Sequence, residues 1–182
     1  TIGIARGGID GQAEEALMRA ADLALYQAKE DGRGGFAYFE PEMYLRAENN
    51  RLLENDVRAA LEENRLSLSY QPIVDARNGD LIGREALLRW NHPTRGAIPP
   101  DQFIQSAENT GLIRPLTDWV LSTGLRQCSN LLSNDTMRHL AVNISARSLH
   151  DLRFPDLVDR LLKASGIPPE KLMLEVTESA FM

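Results

Sequence analysis

Gly83-Arg84-Glu85-Ala86-Leu87-Leu88-Arg89-Trp90 is the stretch on which the fold turns. It closes an apolar-alternating, strand-like run from Leu81 to Trp90, and it carries a carboxylate and a guanidinium four residues apart. That even spacing puts Glu85 and Arg89 on one face of an unbroken strand. Two later runs have the same character: Leu140-Ala141-Val142-Asn143 and Leu172-Met173-Leu174-Glu175 each end in an oxygen donor. Helical patterns separate the three. Strand, helix, strand, helix, strand implies parallel strands joined by right-handed crossovers. The expected host is an α/β fold, a partial (β/α)8 TIM-like barrel. In such barrels the chemistry gathers at the carboxyl ends of the strands.

Working outward, Leu66-Ser67-Leu68-Ser69-Tyr70 reads as a period-two strand that Pro72 stops, followed by a turn over Asp75–Asp80. After Trp90, a loop holds Pro93, Gly96, Pro99 and Pro100. Pro100 suits the first turn of a helix through Phe103, Ile104 and Ala107, which Gly111 ends. A second helix carries Ile113, Leu116, Val120, Gly124, Leu125 and Cys128 on one stripe, and a third carries Phe154, Leu157, Val158, Leu161 and Leu162. Toward the amino terminus, Ile2–Ala5 is strand-like and Glu14–Glu30 has helical spacing, with Asp31-Gly32 as its stop. Gly35–Phe39 is again strand-like. The expected organisation is a strand–helix–strand remnant over 1–41, a linker helix over 42–64 and the truncated barrel over 65–182. The whole reads as a fragment of a longer protein.

Of the 182 residues, 43% are hydrophobic and 25% charged, with a net charge of −6. This is a globular composition with no broad basic surface, so duplex nucleic acid is not an expected partner. The lone Cys128 rules out an intrachain disulfide and fits a reducing, cytoplasmic setting. No apolar run approaches the ~18 residues of a membrane span, so no membrane contact is expected from this segment.

Glu85, Asn143 and Glu175 are candidate metal ligands: two carboxylates and an amide carbonyl suit the hard cations Mg²⁺ or Mn²⁺. A cation so held activates water against a phosphate ester. On spacing alone the plainer reading, polar residues at loop mouths, is favoured. Arg89 can grip two phosphate oxygens as a fork, or form a surface ion pair. Gln71 can reach a base edge or a ribose, although an exposed glutamine is the default. Glu178 either orients a neighbouring loop or stands as an acid at a helix start. Lys29 and Asp22, with Gly32-Arg33, either meet a nucleotide phosphate or form a solvated helix face. His92, His139 and His150 lack metal-ligand spacing and receive no role. Trp90 and Trp119 read as packing residues.

These same residues carry a resemblance. Tyr70-Gln71-Pro72-Ile73-Val74, Glu85-Ala86-Leu87-Leu88-Arg89-Trp90-Asn91-His92-Pro93, Phe103-Ile104 with Ala107-Glu108 and Gly111-Leu112-Ile113, Val142-Asn143-Ile144-Ser145, and Leu174-Glu175-Val176-Thr177-Glu178 follow in order. Together they resemble the amino-terminal half of an EAL domain, a bacterial cyclic di-GMP phosphodiesterase. Ala21-Asp22-Leu23-Ala24-Leu25-Tyr26-Gln27-Ala28-Lys29, then Gly32-Arg33, resembles the carboxyl-terminal end of a GGDEF (diguanylate cyclase) domain. The resemblance implies that Glu85, Asn143 and Glu175 bind metal, that Gln71 and Arg89 contact substrate, that Glu178 steadies an active-site loop and that Lys29 matches a phosphate-contacting lysine. It implies hydrolysis of cyclic di-GMP to linear pGpG in a parent protein that dimerises through its EAL domain and that upstream segments can tether to the inner membrane. The family's paired aspartates, catalytic lysine, late glutamate and glutamine would lie beyond Met182, so no general base is expected within the fragment and the fragment alone is expected to be inactive. If those residues were replaced, the alternative is a receptor or scaffold that binds cyclic di-GMP without cleaving it.

Overall fold

The computed structural model describes residues 1–32 and 34–176. The chain divides into two compact units, Thr1–Leu53 and Glu54–Met182. In the first, strands β1 (Ile2–Ile4) and β2 (Phe36–Tyr38) pair in parallel, with helix α1 (Glu14–Glu30) between them in sequence. Glu14 and Glu15 open α1 and Lys29 lies in its last turn, each charge opposing the helix dipole there. Ala20, Ala24, Phe39 and Met43 form the small core, with Phe39 edge-on to Tyr44 at 5.2 Å. Helix α2 (Glu42–Glu62) starts in this unit and ends in the second, where Val57 and Ala60 are fully buried.

The second unit is built on a sheet of strand order β3-β4-β6-β7, with β5 added to β4. Strand β3 (Leu66–Val74) and β4 (Leu81–His92) form an antiparallel hairpin. Contrary to the sequence expectation, Pro72 does not stop β3. Among the described residues the strand lies at an edge of the sheet, the position in which a strand tolerates proline. The expected loop after Trp90 also proves ordered. Gly96–Ile98 forms β5, antiparallel to Trp90–His92, and β4 therefore runs two residues past Trp90.

Helix α3 (Pro100–Thr110) starts on its proline and stops at Gly111, whose φ of 78° is the left-handed conformation a side chain disfavours. Helix α4 (Ile113–Ser133) returns the chain to β6 (His139–Ile144), parallel to β4. This parallel pairing needs Gly83: a Cβ there would fall 2.6 Å from His139 Nε2 and 2.9 Å from the His139 carbonyl oxygen. A short helix not foreseen from the sequence, α5 (Ala146–Leu149), is capped by Ser145, whose hydroxyl accepts from the Arg147 N–H. Helix α6 (Phe154–Ser165) and a 3₁₀ turn (Pro169–Lys171) lead to β7 (Leu172–Val176), parallel to β6. The mixed α/β expectation thus holds. Trp90, Phe103, Leu116, Leu121, Leu125, Leu140 and Val142 fill the core, so Trp90 is a packing residue, as expected. No helix among the described residues is long and apolar enough to cross a membrane.

Candidate active site

Sheet register decides which side chains meet. Glu85 pairs with Gln71 of β3 on one side and with Ala141 of β6 on the other, and Asn143 pairs with Glu175 of β7. Paired residues on adjacent strands share a face, as do alternate residues along one strand. Gln71, Glu85, Arg89, Asn143 and Glu175 therefore all belong to one face of the sheet. The opposite face, with Ala86, Leu88, Trp90, Leu140, Val142 and Ile144, is buried. On that side Tyr70 Oη donates to Gln127 of α4 at 2.6 Å, and burial pushes its phenol pKa up. Anchoring Tyr70 toward the helices aims its neighbour Gln71 the other way.

Asn143 Nδ2 donates to Glu85 Oε1 at 2.6 Å, across 58 residues of chain. The amide hydrogen holds the carboxylate in place and leaves the amide oxygen as a further donor atom for a cation. The three oxygen donors do not all stand at strand ends, as the sequence reading had them. Asn143 and Glu175 are next to last in β6 and β7, but Glu85 is well inside β4, which continues to pair with β5. Glu85 still falls one step before the end of the parallel ladder, which covers Gly83 to Ala86. Gln71 likewise sits within β3 rather than at its end.

Arg89 is exposed, and one guanidinium nitrogen donates to the Leu88 carbonyl at 3.1 Å. It borders a cleft of about 620 Å³ whose lining includes Leu87, Ile104, Glu108, Thr117 and Asn143. The cleft has apolar walls and few polar groups, the usual make-up of a small-molecule site. The sequence assigns Glu108 and Ser145 no part. In the structure the Ser145 hydroxyl bonds the Glu108 carboxylate, and the Arg147 guanidinium donates to the Glu108 carbonyl. This knot ties the turn after Asn143 to the end of α3. Ser145, directly after an apolar strand, carries a local signal, that of a helix cap.

A second cavity of about 370 Å³ lies between α4, α5 and α6. Its rim is a lattice of ion pairs: Arg114 and Arg153 meet Asp151 at 3.3 and 3.0 Å, and Arg160 meets Asp118 at 3.5 Å. The hydrogen bonds from Arg153 hold the Asp151 carboxyl below its ordinary pKa.

Lys29 and Asp22 are exposed on α1 in the first unit. Arg33 and Glu178 lie outside the described residues.

The family model described as "EAL domain" matches residues 54–182. The chain is 44% identical over its full length to the bifunctional diguanylate cyclase/cyclic di-GMP phosphodiesterase MucR of Pseudomonas aeruginosa, and 39% identical to the cyclic di-GMP phosphodiesterase PdeR of Escherichia coli. It spans 27% of the length of each. Among solved structures, the MucR phosphodiesterase in complex with c-di-GMP superposes with a TM-score of 0.67 at 44% identity, covering 72% of this chain and 53% of that one. The family match covers the whole sheet that carries Gln71, Glu85, Arg89, Asn143 and Glu175, and on that ground the chain belongs to the EAL domain family.

Proposed function

We propose that the protein to which this chain belongs hydrolyses cyclic di-GMP to linear pGpG. One observation carries the reading: Asn143 bonds Glu85 on the face that register assigns also to Gln71, Arg89 and Glu175. The names of the relatives MucR and PdeR support the substrate.

Glu85, Glu175 and the Asn143 amide oxygen are hard donors, a set that fits Mg²⁺ or Mn²⁺. Such an ion, when bound, lowers the pKa of its water and offsets charge on the phosphodiester. The chain's own residues do the rest. Arg89 presents two N–H groups to phosphate oxygens, and its planar fork orients the ester. Gln71, next to Glu85 across the hairpin, donates or accepts at a ribose or base edge. Glu178 steadies a neighbouring loop. Residues 1–41 belong, in the same reading, to a GGDEF domain in which Lys29 contacts phosphate. The 42–64 helix is the linker, and the sheet over 65–182 is the first part of a (β/α)8 barrel. The setting is cytoplasmic, and the protein dimerises through its EAL domain.

The test is Glu85→Ala in the intact protein, assayed for pGpG by chromatography with Mg²⁺ or Mn²⁺. Removal of a ligand is expected to lower turnover by about 10³-fold or more, in line with losses of principal charge-stabilising groups. Undiminished pGpG formation by the variant would sink the assignment of the metal face. Binding without product in the wild type would select the receptor reading.

A further inference from the structure

His92 received no role from the sequence, and the site described above does not use it. The structure buries it to 8% exposure at the end of β4, the strand that carries Glu85 and Arg89. Both ring nitrogens are engaged. Nδ1 accepts from the backbone N–H of Thr94 at 3.3 Å and of Arg95 at 3.2 Å, and it also contacts the Thr94 hydroxyl. Two backbone donors aimed at Nδ1 leave the ring proton on Nε2. Nε2 in turn faces Asp56 Oδ2 of α2 at 3.2 Å, and Arg95 reaches the same oxygen at 3.8 Å. One imidazole thus fixes the β4–β5 turn and fastens it to α2.

The contact continues inward. His92 stands edge-on to Trp90 at 5.3 Å, and Trp90 stands edge-on to Phe103 of α3 at 5.4 Å. Trp90 is 2% and Phe103 0% exposed, and the Trp90 indole N–H makes no hydrogen bond among the described residues, so packing alone holds the ring. Close-packed rings cannot absorb a shift without moving their neighbours. Next to Phe103, Ile104 lines the cleft that Arg89 borders.

We propose that Asp56 and His92 form a latch that sets the position of the α3 wall and of Arg89 across the cleft, so that the placement of helix α2 is read out as substrate affinity. The proposal rests on the reading of this cleft as the cyclic di-GMP site. His92 and Asp56 act through β4 and α3 as positioning residues and touch no substrate. An Ångström-scale shift of the wall changes how Arg89 meets a phosphate. The latch therefore acts on KM and leaves kcat, set at Glu85 and Asn143 further back along the sheet, nearly untouched.

The experiment uses the intact protein and steady-state hydrolysis of cyclic di-GMP. Asp56 is 35% exposed, so its substitutions open no cavity in the core. Asp56→Ala is expected to raise KM about five- to tenfold with kcat within about twofold. Asp56→Asn, which keeps an oxygen to accept from Nε2, restores KM to within about twofold of wild type. His92→Gln adds little to Asp56→Ala, because both cut one link. An unchanged KM in Asp56→Ala overturns the latch, as does a fall in kcat and melting temperature that Asp56→Asn fails to rescue. If the wild type neither binds nor cleaves cyclic di-GMP, the reading of the cleft itself falls and the latch falls with it; a fully active wild type beside an indifferent Asp56→Ala removes the latch alone.

Discussion

Asn143 directs its amide N–H at Glu85, and that bond makes a carboxylate on one strand and an amide on the next act as a unit. A carboxylate without such a partner would turn among rotamers, and holding a cation would require freezing them out. At the same scale, Arg89 offers a planar fork that a lysine cannot reproduce. Arg89→Lys is therefore expected to raise KM for cyclic di-GMP by about tenfold, the loss of roughly one charge-assisted hydrogen bond, while the melting temperature stays put because the side chain is exposed. Steady-state kinetics beside thermal unfolding checks both halves of that statement. The even spacing of Glu85 and Arg89 was legible without coordinates. The 58-residue link from Glu85 to Asn143 was not, because nothing local to either residue encodes the other.

Elements pass these residue positions on. Gly83 lets β4 approach β6, with His139 filling the space a Cβ would take. Gly83→Ala has to push the two strands apart or displace the His139 ring. Overpacking of this kind costs about 1–3 kcal/mol, and here it also separates Glu85 from Asn143. The expected result is a lower melting temperature together with weaker divalent-metal binding by calorimetry, whereas Gly35→Ala, at an exposed glycine with nothing within 4 Å of an added Cβ, alters neither. Asp151 shows how charge secures an element. It accepts from the Arg153 backbone and guanidinium and meets Arg114 of α4, so it braces the start of α6. These bonds lower its pKa from the ordinary value of 3.8. Because the folded value is depressed, the stabilisation is complete above the unfolded pKa and is lost as pH falls through the folded one. Melting curves between about pH 6 and pH 2.5 should show Asp151→Asn destabilised at the neutral end, with the gap to wild type closing on acidification. Helix punctuation at this scale was readable: Pro100 and Gly111 bound α3 as their backbone preferences require. Strand β5 was not. Its three residues have no period to detect, and only β4 alongside makes them a strand.

For the whole molecule, the sheet of the second unit has β3 and β7 as its outer strands among the described residues, and its site face carries polar groups and the 42% exposed Met173. Open edges and a half-covered face favour pairing with another chain. The 182-residue chain on its own is expected to self-associate with rising concentration in light scattering, and Met173→Lys to reduce that association; a monodisperse monomer over the whole range would contradict it. The net charge of −6 acts against this association only over the short reach that salt permits. The amino-acid sequence alone determined the alternation of strands and helices, the parallel run of β4, β6 and β7 and which residues are the candidate oxygen donors, because periodicity, proline, glycine and residue chemistry are local properties. Tertiary structure alone decided that Pro72 is tolerated at an edge, that Glu85 lies inside its strand yet beside Asn143, and that His92 is fastened to Asp56. Each of these depends on which backbone lies alongside, and that follows from the register of the sheet and the packing of helices on it.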